Sequence, residues 1–352
     1  MKQNSTSPLD LSGRYQLAAG VRVIQRSPDR VQVGTEAPRQ VVIADAPPET
    51  ARLLVGLDGV RTAANVIGAH SADPELWAGL LAQLAAAELV VIGEPVDRAG
   101  IARLPPAHLI DEAAGLSHRH GQSAAARIMQ ARNDALVVIR GDCAVAAAIA
   151  AMLAAAGVGH LHLEAVRPGR SLYAGVVPDA ARRAAGIKRA QDLAGTLRER
   201  YPTLRLHPPA AHQHPTLVVL VGATVPDLGV AATLSRGRIS HLAVAAGVAR
   251  AVVGPLVLPG RTSCLSCAHR HRTAADPGWP TVARHLLDSV TTAPAQLTAA
   301  AACLAAGEAL DHIDGVHIPS SINGTLEWRA GDFGARRRSW TAHPDCGCQP
   351  AR

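Results

Sequence analysis

Two short cysteine pairs constrain this chain more than any other feature. Cys264-Leu265-Ser266-Cys267 follows the turn Pro259-Gly260-Arg261-Thr262, and Cys346-Gly347-Cys348 stands more than seventy residues later. Pairs spaced by two residues and by one can each turn two sulfurs toward a point, and four thiolates around one point are the ligand set of a tetrahedral, structural Zn²⁺. A fold that satisfies this set must bring residue 346 beside residue 264, tying the tail to the body of its domain. His269 and His271 compete as ligands. Using them with Cys264 and Cys267 would require the chain to reverse within two residues of Cys267, so the four-cysteine site is expected. The remaining cysteines, Cys143 and Cys303, lie in Ala-rich helical stretches and read as small buried apolar groups.

Paired thiols that serve as metal ligands rather than disulfides belong in a reducing compartment. The N-terminus MKQNSTSPLD has no apolar core of the kind a signal peptide needs. No run of about 20 apolar residues escapes charge or turn punctuation, so the expectation is a cytoplasmic protein without a membrane span. The formal charge of +7 arises from 35 basic and 28 acidic residues. The basic residues are mostly Arg spread along the length, and the clusters Arg182-Arg183 and Arg336-Arg337-Arg338 lack interleaved aromatics, which argues against nucleic acid as a partner.

At 352 residues the chain is long enough for two domains with separate cores. Residues 1–18 are polar and read as a flexible N-terminus. Val21–Ile24 and Arg30–Val33 alternate on either side of Ser27-Pro28-Asp29, a hairpin signal, and Val41–Ile43 supplies a third strand. Helical periodicity follows in 49–57, 62–67 and 74–89, with Leu76, Trp77, Leu80, Leu81 and Leu84 on one face of the last, and Gly56–Gly59 is read as the turn between the first two helices. This is the content of a winged-helix-like module over 19–95. Its third helix offers Glu75, Gln83 and Glu88 and no Lys or Arg, so it is poorly equipped to read DNA. Peptide capture suits it better: an extended ligand would add beside Val41, Val42 and Ile43 and rest on Trp77 and Leu80 of the third helix. A purely structural cap on the next domain is the other reading.

A linker region spans 96–133, and a Rossmann-like domain with a mostly parallel sheet spans 134–352. Ala135–Ile139 is a continuous apolar run typical of a parallel strand buried on both faces. An Ala-rich helix and the strand 160–163 complete a βαβ unit, which crosses over right-handed. A dinucleotide loop would place glycines where Gly141, Cys143 and Ala146 stand; only Gly141 fits, and Cys143 puts a side chain where phosphate approaches. Glu164, after the second strand, occupies the place of a ribose-binding acid. His160 and His162 read as core or interface residues.

These residues together carry a family resemblance. Val253-Gly-Pro-Leu-Val-Leu-Pro-Gly-Arg-Thr-Ser-Cys-Leu-Ser-Cys267, Asp276-Pro-Gly-Trp-Pro280, Leu326-Glu-Trp-Arg329 and His343-Pro-Asp-Cys-Gly-Cys348 resemble the ThiF/MoeB, or ubiquitin-activating-enzyme-like, superfamily. Within it the sequence is most similar to the leader-peptide-binding partner proteins of thiazole/oxazole-modified microcin synthesis. Arg30-Val-Gln-Val-Gly34 and Leu57-Asp-Gly-Val-Arg61 are similar to their recognition element.

The resemblance implies one of two functions. Adenylating members bind Mg-ATP and activate a C-terminal carboxylate of a small protein or peptide. Glu164 and Lys188 match two places of their nucleotide site, Gly141 the loop, and Asp227 is a displaced candidate for the metal-binding acid. The microcin partner proteins keep the fold and the zinc, hold the leader of a ribosomally made precursor peptide, and present its Cys, Ser or Thr residues to an ATP-using YcaO-type cyclodehydratase. The sequence contains no YcaO region, so that catalyst is expected on a separate polypeptide, and homodimers are usual in the superfamily. The eroded loop makes the non-catalytic binding and presentation role the expectation, with an adenylyltransferase as the alternative.

Overall fold

The computed structural model describes residues 9–92, 106–165, 179–222, 225–286, 293–332 and 334–348. Residues 1–8 of the polar N-terminus and 96–105 of the expected linker lie outside the described residues. The chain divides into two compact units, Met1–Met129 and Gln130–Arg352.

In the first unit, β1 (Arg14–Leu17) precedes β2 (Val23–Ser27), β3 (Arg30–Glu36) and β4 (Arg39–Ala44), and the last three form an antiparallel sheet in that order. Val31 and Val33 alternate with polar neighbours and are fully buried, as a strand with one core-facing side requires. Gly34 has φ +82°, and a Cβ there would run into the Arg39 carbonyl, so only glycine lets β3 approach β4 at this point. Next come α1 (Thr50–Val55), β5 (Asp58–Thr62), α2 (Ala63–Ala69), α3 (Pro74–Ala86) and β6 (Val90–Ile92), followed by α4 (Ile110–His120). Asp73 caps α3 by accepting the Glu75 amide, with Pro74 in the first turn. Trp77, Leu81 and Leu84 form the buried stripe of α3 and share one core cluster with Leu53 and Leu54 of α1.

Two expectations are corrected here. Gly56–Gly59, read as a turn between helices, runs into β5, where Asp58 accepts the amides of Val60 and Arg61. Arg14–Leu17, inside the stretch read as loose, is the middle strand of a second antiparallel sheet ordered β5-β1-β6. Only Tyr15 and Leu17 of β1 face the core, a pattern too short to stand out among polar residues. Two three-stranded sheets exceed the content of the expected module, and a winged-helix assignment does not follow from this topology.

Helix α5 (Gln122–Asp134) leads into the second unit, which comprises β7 (Leu136–Arg140), α6 (Ala144–Ala155), β8 (His160–Glu164), α7 (Asp179–Arg200), β9 (Leu217–Val221), α8 (Leu228–Arg236) and β10 (His241–Ala246). It continues with β11 (Arg250–Val257), α9 (Leu265–Ala275), α10 (Trp279–Leu286), α11 (Ala295–Asp314), β12 (Gly324–Arg329) and β13 (Arg336–Ser339). One seven-stranded sheet runs in the order β13-β12-β11-β10-β9-β7-β8. The four strands from β8 to β10 are parallel neighbours and β11 to β13 continue antiparallel, so five of the seven point the same way.

Leu217, Val219, Val137 and Ile139 are fully buried, in keeping with a parallel sheet shielded on both faces. Ala301, Ala302, Ala305 and Ala309 line the buried stripe of α11, and small side chains let this helix pack closely on α6. Cys303 falls on the opposite face and is exposed rather than buried, because the stripe at 301, 302 and 305 leaves position 303 pointing outward; Cys143 is half-buried. Near the ends of α5 and α11, Arg132 Nε and Nη2 donate to the two carboxylate oxygens of Asp314 at 2.8 and 2.7 Å. Among the described residues no helix is long and apolar enough to cross a membrane.

Candidate functional site

The antiparallel arm of the sheet delivers the first cysteine pair. Strand β11 ends at Val257, and the turn that follows is fixed by Thr262, whose Oγ1 accepts the Leu258 amide at 2.9 Å, while the Ser263 amide donates to Asn323 Oδ1 at 2.8 Å. Cys264 then occupies the N-cap of α9 and Cys267 its first turn, where the helix N-terminus favours negative sulfur. The tail brings Cys346 to 3.6 Å from Cys264, and Cys348 to 3.4 Å from Cys267; Cys264 and Cys267 are 3.8 Å apart, sulfur to sulfur. All four sulfurs lie within 4.8 Å of one another. A disulfide needs about 2 Å, whereas Zn–S bonds of about 2.3 Å in a tetrahedron space the sulfurs about 3.8 Å apart. The four cysteines could therefore hold a metal ion, and their distances fit zinc.

The competing histidines are turned elsewhere. His269 Nδ1 accepts the Trp279 indole N–H at 3.2 Å, and His271 Nε2 lies 2.9 Å from the Thr341 carbonyl. Burial pushes the Cys346 thiol up to about 11 and the Cys348 thiol higher still. Burial also works to raise Cys267, but hydrogen bonds from the His343 amide and neighbouring cysteines outweigh it and leave this thiol below its ordinary value. A cation among these groups replaces the protons that would otherwise keep the sulfurs neutral.

The second candidate region lies where the strand order reverses. Strand β7 has β8 on one side and β9 on the other, and in such sheets ligands bind in the crevice beyond the strand ends at this switch point. The structure does bring Gly141 and Glu164 together there: the Gly141 amide donates to the Glu164 carbonyl at 3.0 Å. A Cβ on Gly141 would sit 2.8 Å from the Val221 carbonyl, so close approach to β9 alone accounts for glycine at this position. Asp142 opens the following loop and is bound by Arg189 Nη2 at 2.6 Å, and Arg140 pairs with the Glu164 carboxylate at 3.2 Å. Asp227 caps α8, accepting the Gly229 and Val230 amides at 2.7 and 3.3 Å. Lys188 is exposed on α7, and its neighbour Arg189 is the residue that reaches the crevice. Sequence reasoning missed Asp142, Arg140 and Arg189, whose partners are set by β-strand register and a helix crossing rather than by any local motif.

In the first unit β4 is an edge strand, paired on one side with β3. Val41 and Ile43 pack toward the core, and Val42 is partly exposed on the other face. Leu80 is partly buried, but Trp77 is fully buried and has no surface to offer a ligand; Leu76 is the large exposed residue of α3.

The second unit is an α/β fold with a switch-point sheet, an antiparallel arm and a four-cysteine cluster. Solved structures of this fold include E. coli MccB with ATP, with TM-score 0.60 and 14% identity over 96% of this chain and 99% of that one. The microcin C7 biosynthetic enzyme MccB in complex with N-formylated MccA has TM-score 0.56 and 14% identity over 95% and 99%. A heterocyclase in complex with substrate and cofactor has TM-score 0.58 and 14% identity over 96% of this chain but only 40% of the heterocyclase. No family model matches the chain, and no curated protein matches it in sequence.

Proposed function

We propose that this chain binds the leader segment of a ribosomally made precursor peptide and presents the peptide to a separate, ATP-using YcaO-type cyclodehydratase, without adenylating anything itself. One observation carries the reading: of the nucleotide-site candidates Gly141, Glu164, Lys188 and Asp227, all but the exposed Lys188 are already engaged. The Gly141 amide is taken by the Glu164 carbonyl, Asp142 by Arg189, Glu164 by Arg140, and Asp227 by the α8 amides. Phosphate binding at a helix N-terminus needs free amides and no competing carboxylate, and Asp142 sits two residues before α6. The four cysteines act as a structural zinc clasp with no open coordination position.

The free edge of β4 supports the binding half. A peptide added there gains main-chain hydrogen bonds along an exposed strand, and its side chains meet Val42 on one face. The heterocyclase likeness covers under half of that protein, which accords with this fold serving beside a catalyst. A second reading, adenylation of a peptide carboxylate, is favoured by the likeness to ATP-bound MccB over nearly the whole of both chains.

Two measurements separate them. Isothermal titration with the synthetic leader of a candidate precursor peptide is expected to show binding, weakened at least about tenfold by Val42→Pro, since proline has no N–H and its ring breaks the receiving strand. Val42→Thr is expected to bind as the parent does. Peptide-dependent ATP–pyrophosphate exchange by the isolated protein establishes adenylation and ends the presentation reading.

A further inference from the structure

Strand β8 is an edge of the seven-stranded sheet, paired along its length only with β7. The start of its other side is covered by the chain that leaves α7 and returns to β9. There the Arg205 amide donates to the Gly159 carbonyl at 3.0 Å and the Leu161 amide to the Arg205 carbonyl at 2.9 Å, so that His160 and Arg205 form a parallel bridge. The Arg205 guanidinium reinforces it, Nε donating to the Gly159 carbonyl at 3.0 Å. One side-chain contact closes this strap. His160 is only 2% exposed, its Nε2 lies 2.9 Å from the His207 carbonyl, and the two imidazoles sit 4.4 Å apart between ring centroids. Past His207 the strap turns back on itself, with Gln213 and Ala210 bonding each other, and among the described residues it makes no further backbone hydrogen bond to β8.

A carbonyl only accepts, so the contact holds neutral His160 as its Nε2–H tautomer. That bond is the ring's only one among the described residues. A second proton, on Nδ1, would lack an acceptor and place a cation where water scarcely reaches. The charged neighbours oppose it as well. From the strap, His207 and Arg205 both repel a positive ring, and His212 and His214 farther along are exposed. Along β8, His162 follows two residues on, with Glu164 acting on it from beyond. Strand β7 sets Leu136 beside His160; at the end of α5, Arg132 is bound to Asp314 and Asp134 by Gln130; α6 and α7 pack on the opposite face of β8 with Leu161. Burial holds the His160 pKa below its ordinary value; the His207 carbonyl pulls the other way, and repulsion from His207 and Arg205 adds to the fall.

We propose that residues 204–214 form an acid-released strap, latched by the buried His160 against His207, that covers the start of the β8 edge near neutral pH and uncovers it when His160 takes up a proton. Above about pH 6.5, the ordinary imidazole value, the ring is neutral whether the strap is open or closed, and closure is at full strength. Below it the open form binds a proton that the closed form excludes, and closure weakens as pH falls. Opening frees the Leu161 amide and the Gly159 carbonyl, the pairing groups of a sheet edge. The latch is independent of the metal and of leader binding at β4.

Amide hydrogen exchange of the intact chain at pH 7.5 and 5.5, corrected for the intrinsic pH dependence of exchange, reads the latch at Leu161 and Arg205, whose amides bond across it. Their protection is expected to fall several-fold at the lower pH, up to about tenfold for one histidine taken one pH unit below its ordinary pKa, while Val218 inside the sheet stays unchanged. His160→Gln keeps an N–H for the His207 carbonyl without titrating and is expected to hold the strap closed at both pH values. His207→Phe keeps the ring contact and is expected to lessen the fall without removing it. Unchanged protection in the parent, an equal fall at Val218, or an undiminished fall in His160→Gln overturns the proposal. If His160→Gln opens the strap already at pH 7.5, the His160 imidazole of the parent is titrated by NMR: a pKa below the ordinary value sustains the latch, and one at or above it overturns the latch.

Discussion

Chains carrying Cys346→Ser and Cys348→Ser together are expected to purify with far less than one zinc per polypeptide, against one for the parent, and to melt at markedly lower temperature. The cysteine cluster sits in an apolar setting with Leu265, Val257 and Ala243. Removing two ligands leaves Cys264 and Cys267 unable to hold the ion, and the tail loses its one attachment of metal-bond strength. Structural zinc contributes on the order of 10 kcal/mol or more of apparent binding free energy in small zinc domains. This unit has a core of its own, so the expected loss is smaller, several kcal/mol, by the same coupling. Metal analysis and thermal melts of both proteins, with a chelator-treated parent as a third sample, check this. Full metal content or an unchanged melting temperature in the double variant defeats the zinc assignment. Because burial raises the Cys346 thiol to about 11, metal uptake must displace protons, and affinity is expected to fall as pH falls.

Asp314→Ala is expected to destabilise the second unit by about 3–5 kcal/mol, the usual cost of stripping one partner from a buried ion pair. Arg132 is 2% exposed and Asp314 11%. Without Asp314 the guanidinium loses its bidentate carboxylate partner, while its hydrogen bond to the Ala156 carbonyl at 3.0 Å remains. Replacing both residues by apolar ones of similar size, Arg132→Met with Asp314→Leu, is expected to cost much less, because no buried charge remains. Urea denaturation of the three proteins decides: a loss under about 1 kcal/mol for Asp314→Ala, the range of exposed pairs, shows that the pair is effectively solvated.

Much of this was legible in the residues, for definite physical reasons. The continuous apolar run at Ala135–Ile139 read as a parallel strand buried on both faces and is one, β7, and the cysteine spacing pointed to its own ligand set without reference to the fold. Other features left weaker traces. Strand β1 is short and half polar, so its place in the sheet depends on β5 and β6, which lie more than forty residues away. Trp77 and Leu76 share a helix, and periodicity shows a stripe without saying which of its edges stays wet; Trp77 turned inward. Glu164 and Asp227 sat at suggestive positions, yet their partners, Arg140 and the α8 amides, depend on geometry that motifs do not encode.

The spacing of the cysteine ligands also sets a clock on biosynthesis. Cys346 is made 79 residues after Cys267, which at the ribosome's pace of about 5–20 residues per second is a delay of roughly 4 to 16 s. For that interval the first pair is a two-thiol half-site at the start of α9, open to oxidation or to a softer metal that needs only two sulfurs. A zinc ion held by all four sulfurs, as proposed, can therefore be enclosed only after the tail has been made.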